Sequence, residues 1–250
     1  MPGVTGMKKL VFLIYGLIAY LCFFGTFLYL IGFTGNFIVP KSIDGKFGGS
    51  VMTAYMVDIL LIAVFGIQHS VMARIKFKKS WTKIVPKPVD RSTFVLFTCA
   101  ALGLIFWQWR PVPFAIWDFT GGPLAYFFYA VFALGWAVVF VSTLLINHFD
   151  LFGLRQVYLY FKGAPYTEVV FKQTLFYKVV RHPLMLGFLL ALWAAPAMSF
   201  GHALFACGMS SCIFIGIHFE EGDLLELHGE SYSKYMENTS MILPIPKKSR

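Results

Sequence analysis

Charge is what this sequence has least of. Only 13% of its 250 residues are Asp, Glu, Lys or Arg and 58% are hydrophobic, whereas a soluble domain averages about 25% charged. With a mean hydropathy of +0.70, the composition excludes an ordinary water-soluble domain and implies a polytopic membrane protein. Acidic residues are the scarcer kind, and 12 Asp and Glu leave a formal charge of +9. A nucleic-acid binder would share that sign. Here, however, the Lys and Arg stand between apolar runs, where membrane topology accounts for them, so no nucleic acid is expected. Cysteine is scarce too. Cys22, Cys99, Cys207 and Cys212 all lie in apolar segments without disulfide or metal-ligand spacing, so they read as small buried hydrophobes and no metal is expected. An internal repeat, a low-complexity tract and a Gly-x-Gly-x-x-Gly after a strand pattern are all missing, which excludes a Rossmann-type cofactor domain.

What is there is a series of apolar runs. Residues 10–32, behind Lys8 and Lys9, are too long for the core of a cleavable signal and read as the first span. Gly and Pro punctuate the loop to a second span at 51–72, which carries Asp58 in its interior. There an ionisable residue is by default functional or bonded to a neighbouring helix. Third and fourth spans fall at 93–109 and 124–146, with Trp107, Trp109, Trp117 and Tyr126 as an interfacial aromatic belt. Of the 21 Lys and Arg, only Lys41, Lys46 and Arg110 fall on one side of these spans. That asymmetry places both termini in the cytoplasm, in a bacterial inner membrane.

The last third is organised around two charged clusters, Arg181-His182 and Glu220-Glu221, separated by about 36 mostly apolar residues. That is too long for one crossing and fits a helical hairpin of two, with Pro196 ending the first arm and the turn at Ser199-Phe200-Gly201-His202. The first arm could instead be re-entrant with the same topology. Either way the two clusters become neighbours on one membrane face, where opposite charges need partners or a zwitterionic ligand. The expected fold is therefore an all-α polytopic membrane helix bundle of five to six spans. It forms a single domain over 1–250: a four-span bundle (1–146), a cytoplasmic connection (147–183) and a C-terminal hairpin segment (184–250).

Arg181-His182-Pro183-x-x-Leu186-Gly187, the hairpin, Glu220-Glu221, then Gly229-x-x-Tyr232-x-x-Tyr235 and Pro244 closely resemble the integral-membrane methyltransferases related to isoprenylcysteine carboxyl methyltransferase and the phospholipid methyltransferases. The resemblance implies S-adenosylmethionine as cofactor, bound by Arg181, His182, Pro183, Leu186, Gly187, Glu220, Glu221, Tyr232 and Tyr235. The residue types suit that ligand: Arg181 and His182 can donate to its carboxylate, Glu220 and Glu221 can accept from its ammonium or ribose, and Gly187 permits close backbone approach. Singly, each has an ordinary reading as a helix-end cap or a solvated turn. Prenylcysteine enzymes usually carry Gly-Pro-Tyr before the Arg-His-Pro and a Tyr two residues after it, where this chain has Leu175-Phe176-Tyr177 and Met185.

The run 147–156, from Asn147-His148-Phe149-Asp150 to Arg155-Gln156, is instead similar to a bacterial branch of that family acting on a small thiol. It implies methyl transfer to methanethiol, giving dimethyl sulfide. A phospholipid or prenylcysteine acceptor is the alternative, and a non-enzymatic membrane protein a third reading. A thiol acceptor needs a base or a positive field, because the thiolate is the nucleophile. His148 and Arg155 are the candidates, with Asp150 orienting one of them and Tyr166 closing the pocket. The competing reading has His148 ending the fourth span, Asp150 capping a turn and Arg155 anchored to lipid phosphate.

Overall fold

Hydrocarbon offers the backbone no partner but itself, so apolar runs of this length close their hydrogen bonds as helices. The computed structural model describes residues 6–46, 48–167 and 174–245. In chain order these form α1 (Gly6–Gly35), α2 (Val51–Ala73), α3 (Ile75–Trp81), α4 (Lys87–Gln108), β1 (Ala115–Asp118), α5 (Leu124–Ile146), α6 (His148–Leu151), α7 (Leu154–Lys162), α8 (Pro183–Trp193), β2 (Ala197–Ser199), α9 (Phe200–His228) and α10 (Glu230–Asn238). Among the described residues, five of these helices (α1, α2, α4, α5 and α9) are long and apolar enough to cross a membrane. The protein is an all-α polytopic bundle. Its core is a belt of buried aromatic and aliphatic side chains, including Phe33, Phe65, Ile105, Trp109, Trp136 and Phe205.

Helix α4 starts six residues before the expected 93, because Pro86 at its N-cap and Pro88 in its first turn supply the φ of a helix start at positions where no N–H bond is lost. Asp58, buried in α2, accepts from the Arg110 backbone N–H at 2.9 Å just past the end of α4. The helix-bonding reading of Asp58 is the one realised.

The hairpin differs from expectation in its turn. Helix α8 ends at Trp193, the chain then runs extended through β2, and Ser199 caps α9 by accepting from the His202 N–H at 2.9 Å. Residues 199–202 therefore start a helix instead of forming a turn of their own. The 11 residues of α8 reach only about 16 Å as a helix. The residues from Ala194 to Ser199, the last three of them strand β2, add at most about 20 Å, so helix and following segment together reach across a hydrocarbon core of about 30 Å. Extended backbone at that depth needs partners. It finds them in β1, with Ala115 against Ser199 and Asp118 against Ala197, extended by Phe119 N to Pro196 O (2.9 Å) and Phe200 N to Phe114 O (2.9 Å). Among the described residues this two-stranded patch is the one sheet, and the sequence did not suggest it.

Asp44 pins the loop after α1 to the same end. Its carboxylate accepts from the Ser199 hydroxyl and from Asn36 Nδ2 (2.7 Å), and lies 3.6 Å from His202 Nδ1. Burial alone would raise its pKa. The bonds to His202 and Ser199 outweigh that and hold it below the usual carboxylate range.

Helices α5 and α8 pack through glycine. A Cβ on Gly187 would sit 2.7 Å from Gly135 O and 2.8 Å from Val139 N, and one on Gly135 would meet Ala191 N at 2.6 Å. Gly187 and Ala191, four apart on α8, and Gly135 on α5 let the two backbones touch, the usual device where lipid supplies no hydrophobic drive between helices. Gly187 does serve close backbone approach, but the backbone is α5. That contact explains why glycine is needed here without any ligand. Gly187→Leu must force the helices apart, costing about 1–3 kcal/mol. Gly25→Leu, where a Cβ meets nothing within 4 Å, leaves stability unchanged. Unfolding in mixed micelles, followed by circular dichroism, checks the contrast.

Candidate active site

Arg181 stands between the 3₁₀ turn Leu175–Lys178 and α8. The C-terminal segment is laced to it: Arg181 N donates to Ser240 O (2.8 Å), His182 N donates to Met241 O (3.1 Å), and Val180 bridges Ser240. Pro183 has no N–H to continue this pairing, so the chain turns into α8 there.

The side chains complete the knot. Arg181 is buried. Its Nε donates to Glu221 Oε1 at 2.7 Å, and its Nη1 donates to Thr239 O at 2.6 Å and Met236 O at 3.1 Å. Those carbonyls close α10, and a helix C-terminus leaves its last carbonyls without partners and favours a cation. His182 Nε2 lies 3.0 Å from the same Glu221 oxygen, and its Nδ1 lies 3.8 Å from Glu220 Oε2. Consecutive residues on a helix point about 100° apart, so only one of two adjacent glutamates can turn inward. Glu221 is that one, 13% exposed against 47% for Glu220.

These contacts revise the expected roles. Arg181 already spends its Nε and Nη1 inside the protein, and Glu221 accepts from Arg181 and His182. Glu220 is the carboxylate presented outward. Tyr232 and Tyr235 are buried under the knot, and Tyr235 Oη donates to Tyr177 O at 2.5 Å. Burial lifts Tyr235 to about 12 and raises Tyr232 as well, so both stay neutral hydroxyls and neither can act as a base. Leu186 is half-buried one turn into α8, its N–H bonded to His182 O.

A second cluster follows α5. Asn147 Oδ1 caps α6 by accepting from the Asp150 N–H at 3.2 Å. Arg155 Nη1 donates to Asp150 Oδ1 (2.8 Å) and Thr167 O (2.8 Å), Nη2 donates to Thr167 Oγ1 (2.6 Å), and the guanidinium lies 5.3 Å over the Tyr166 ring. Tyr166 Oη donates to Asp150 Oδ2 at 3.2 Å. Asp150, Arg155 and Tyr166 are thus brought together, and the lipid-anchor reading of Arg155 does not describe its contacts. Gly153, at φ 86°, presses α7 onto Ser92 of α4.

His148 sits apart from that trio. It is buried among Tyr20, Phe23, Phe140, Phe149 and Phe152. Nδ1 is 2.8 Å from Thr143 Oγ1 and Nε2 is 2.9 Å from Tyr20 Oη. Thr143 gives its only hydroxyl proton to Phe140 O at 2.7 Å, so His148 must donate from Nδ1. Nε2 therefore carries the lone pair and accepts from Tyr20. Burial lowers the pKa of His148 below its ordinary value, which keeps the ring neutral. The antiparallel contact of Gly135 with Ala191 and of Val139 with Gly187, carried one turn further, sets Thr143 level with Pro183. The histidine and the Arg181 knot thus share one end of the bundle.

Arg91 links the two clusters and did not stand out in the sequence, because its position before the apolar start at 93 read as loop. It lies in α4, donates from Nε to Leu151 O at 2.7 Å, stacks 5.1 Å over Phe94, and feels the charges of Asp150, Asp90 and Glu220. Tyr20 was missed too. Nothing in a run of apolar residues marks one tyrosine as the partner of a histidine 128 positions away.

The chain is 49% identical to methanethiol S-methyltransferase of Crocosphaera subtropica, over 95% of this chain and 93% of that protein. It is 48% identical to the protein of the same name in Mycobacterium tuberculosis, over 96% and 98%. Nurim of Danio rerio is 28% identical over 78% of this chain and 74% of its own. No protein-family model and no solved structure matches the chain.

Because Arg181 is buried against a single carboxylate, Glu221→Gln leaves an uncompensated cation and costs about 3–5 kcal/mol. Trypsin should then cut at Lys234 under conditions that spare the wild type, while Glu220→Gln keeps wild-type resistance and thermal stability.

Proposed function

This chain belongs to the methanethiol S-methyltransferase family, and we propose that it transfers the methyl group of S-adenosylmethionine to methanethiol, releasing dimethyl sulfide. The observation that carries the reading is 49% identity across 95% of the chain with a relative of that name. S-adenosylmethionine, when bound, supplies a methyl group activated by its sulfonium. The residues present fit it: the outward carboxylate of Glu220 suits the ammonium or the ribose hydroxyls, and Arg91 suits the carboxylate, since Arg181 is already committed to Glu221. Arg181, His182 and Glu221 fix Glu220 in place. Pro183, Leu186, Tyr232 and Tyr235 hold the backbone around it.

For the acceptor, His148 is the base. A free thiol is a few per cent thiolate or less near neutral pH, so a neutral imidazole with Nε2 available raises the nucleophilic fraction. The thiol proton passes to Nε2, where Tyr20 Oη now donates. Arg155 is neutralised by Asp150, so the pair acts by holding Tyr166 and Thr167 over the site rather than by adding positive field. The aromatic surround of His148 excludes water and suits a small apolar acceptor.

The protein is an integral membrane protein. Its Arg181 end is proposed to face the cytoplasm of a bacterial inner membrane, with both termini on that side. The support is the Lys and Arg asymmetry, of which Lys172, Lys247, Lys248 and Arg250 lie outside the described residues. In a background lacking the native cysteines, Ser80→Cys should label from the cytoplasmic side and Lys46→Cys from the other. Labelling of both from one side would overturn the topology.

Purified protein given S-adenosylmethionine and methanethiol is expected to produce dimethyl sulfide in the headspace. Methylated phospholipid or prenylcysteine without dimethyl sulfide would replace the thiol reading. His148→Ala should cut turnover about 100-fold near pH 7, and the deficit should shrink as pH rises and thiolate becomes abundant. S-adenosylhomocysteine affinity should be unchanged. Because burial lowers the pKa of His148, the acid limb due to this residue falls below the ordinary imidazole value.

A further inference from the structure

Lys41, Lys46 and Arg110 are the three cations that the charge asymmetry leaves at the end opposite Arg181, and the fold gathers all three around one place. Together with Gly48, Trp109 and Pro111 they line a single surface cavity of 260 Å³. Like charges brought together repel, so the arrangement calls for an anion. Two carboxylates lie nearby. Asp44 is turned toward Ser199, Asn36 and His202. Asp58 lies buried beneath, with Oδ1 accepting from the Arg110 backbone and Oδ2 accepting no hydrogen bond among the described residues. One buried carboxylate does not balance three cations.

Lys41 also belongs to a second cavity, of 370 Å³, whose other walls are Tyr29, Gly103, Phe106 and Trp107. This is a groove between α1 and α4. Tyr29 stacks on Phe106 at 4.6 Å and donates to Lys41 O, and the Lys41 ammonium donates to Trp107 O. Space for a Cβ at Gly103 is empty within 4 Å, so the groove stays open on that side. The Trp107 side chain is 71% exposed, as befits an aromatic residue at the headgroup level.

We propose that the two joined cavities form a binding site for an anionic phospholipid, its phosphate held by Lys41, Lys46 and Arg110 and an acyl chain lying in the groove. A free phosphate would use only the first cavity. The apolar groove sharing Lys41 with it is what favours a lipid. A lipid seated there would tie the loop after α1 to the end of α4, on the face away from the chemistry.

The test is quenching of Trp107 fluorescence by brominated phosphatidylglycerol and brominated phosphatidylcholine, titrated into the detergent-solubilised protein. Stronger quenching by the anionic lipid is expected. In Lys46→Gln/Arg110→Gln its apparent affinity falls about tenfold, and in Lys76→Gln/Lys79→Gln, at the other end, it is unchanged. Both cations replaced are exposed, and far-ultraviolet circular dichroism confirms that the variants are folded. Trp107→Phe should diminish the lipid-dependent signal, the remainder coming from the other five tryptophans. Equal quenching by the two lipids, an unchanged affinity in the first double variant, or an anionic-lipid signal undiminished in Trp107→Phe would overturn the site. Displacement of the lipid by equimolar inorganic phosphate would overturn the lipid assignment and leave an anion site.

Discussion

The buried pair of Arg181 and Glu221 is the constraint on which the rest depends. A charge at the edge of hydrocarbon is tolerated only with a partner and with its remaining donors satisfied. Arg181 meets both needs at once, with a carboxylate from α9 and two carbonyls from the end of α10. Three stretches far apart in sequence are thereby tied at a single point. Turning Glu221 inward also turns Glu220 outward, so the structural pair decides which glutamate is left exposed.

The depth of that knot is set by the contact of α8 with α5. Gly135 and Gly187 let the backbones meet, and the short α8 is completed by an extended stretch whose peptide groups are satisfied by β1. A regular helix there would have needed about 20 apolar residues to reach across, and Pro196 forbids it. The strand pair is the compensation. It also brings Ser199 and His202 to Asp44, which closes the far end of the bundle.

At the near end two histidines are given different work by their surroundings. His182 faces two carboxylates and is part of a charged lattice. His148 faces two hydroxyls inside an aromatic box, and its tautomer follows from the single proton of Thr143. The one imidazole is held among charges and the other is kept neutral in an apolar setting, at the same end of the bundle.

Much of this was determined by the sequence alone. Long runs of Leu, Phe, Ile and Ala can satisfy their backbone in a membrane only as helices, so the number and order of spans, the all-α class and the hairpin ending in Arg181-His182 and Glu220-Glu221 follow from composition and spacing. Helix ends were legible where Pro or Gly stood. What tertiary structure decided was which polar atoms are used up. Sequence shows Arg181, Glu221 and Gly187 as residues suited to a ligand, but a residue's donors and space are shared with whatever packs against it. Here α10, His182 and α5 share them. Arg91 and Tyr20 were hidden for the same reason, since partners separated by 60 and 128 positions leave no local pattern. Side-chain chemistry is written in the chain, and the fold settles what remains of it for function.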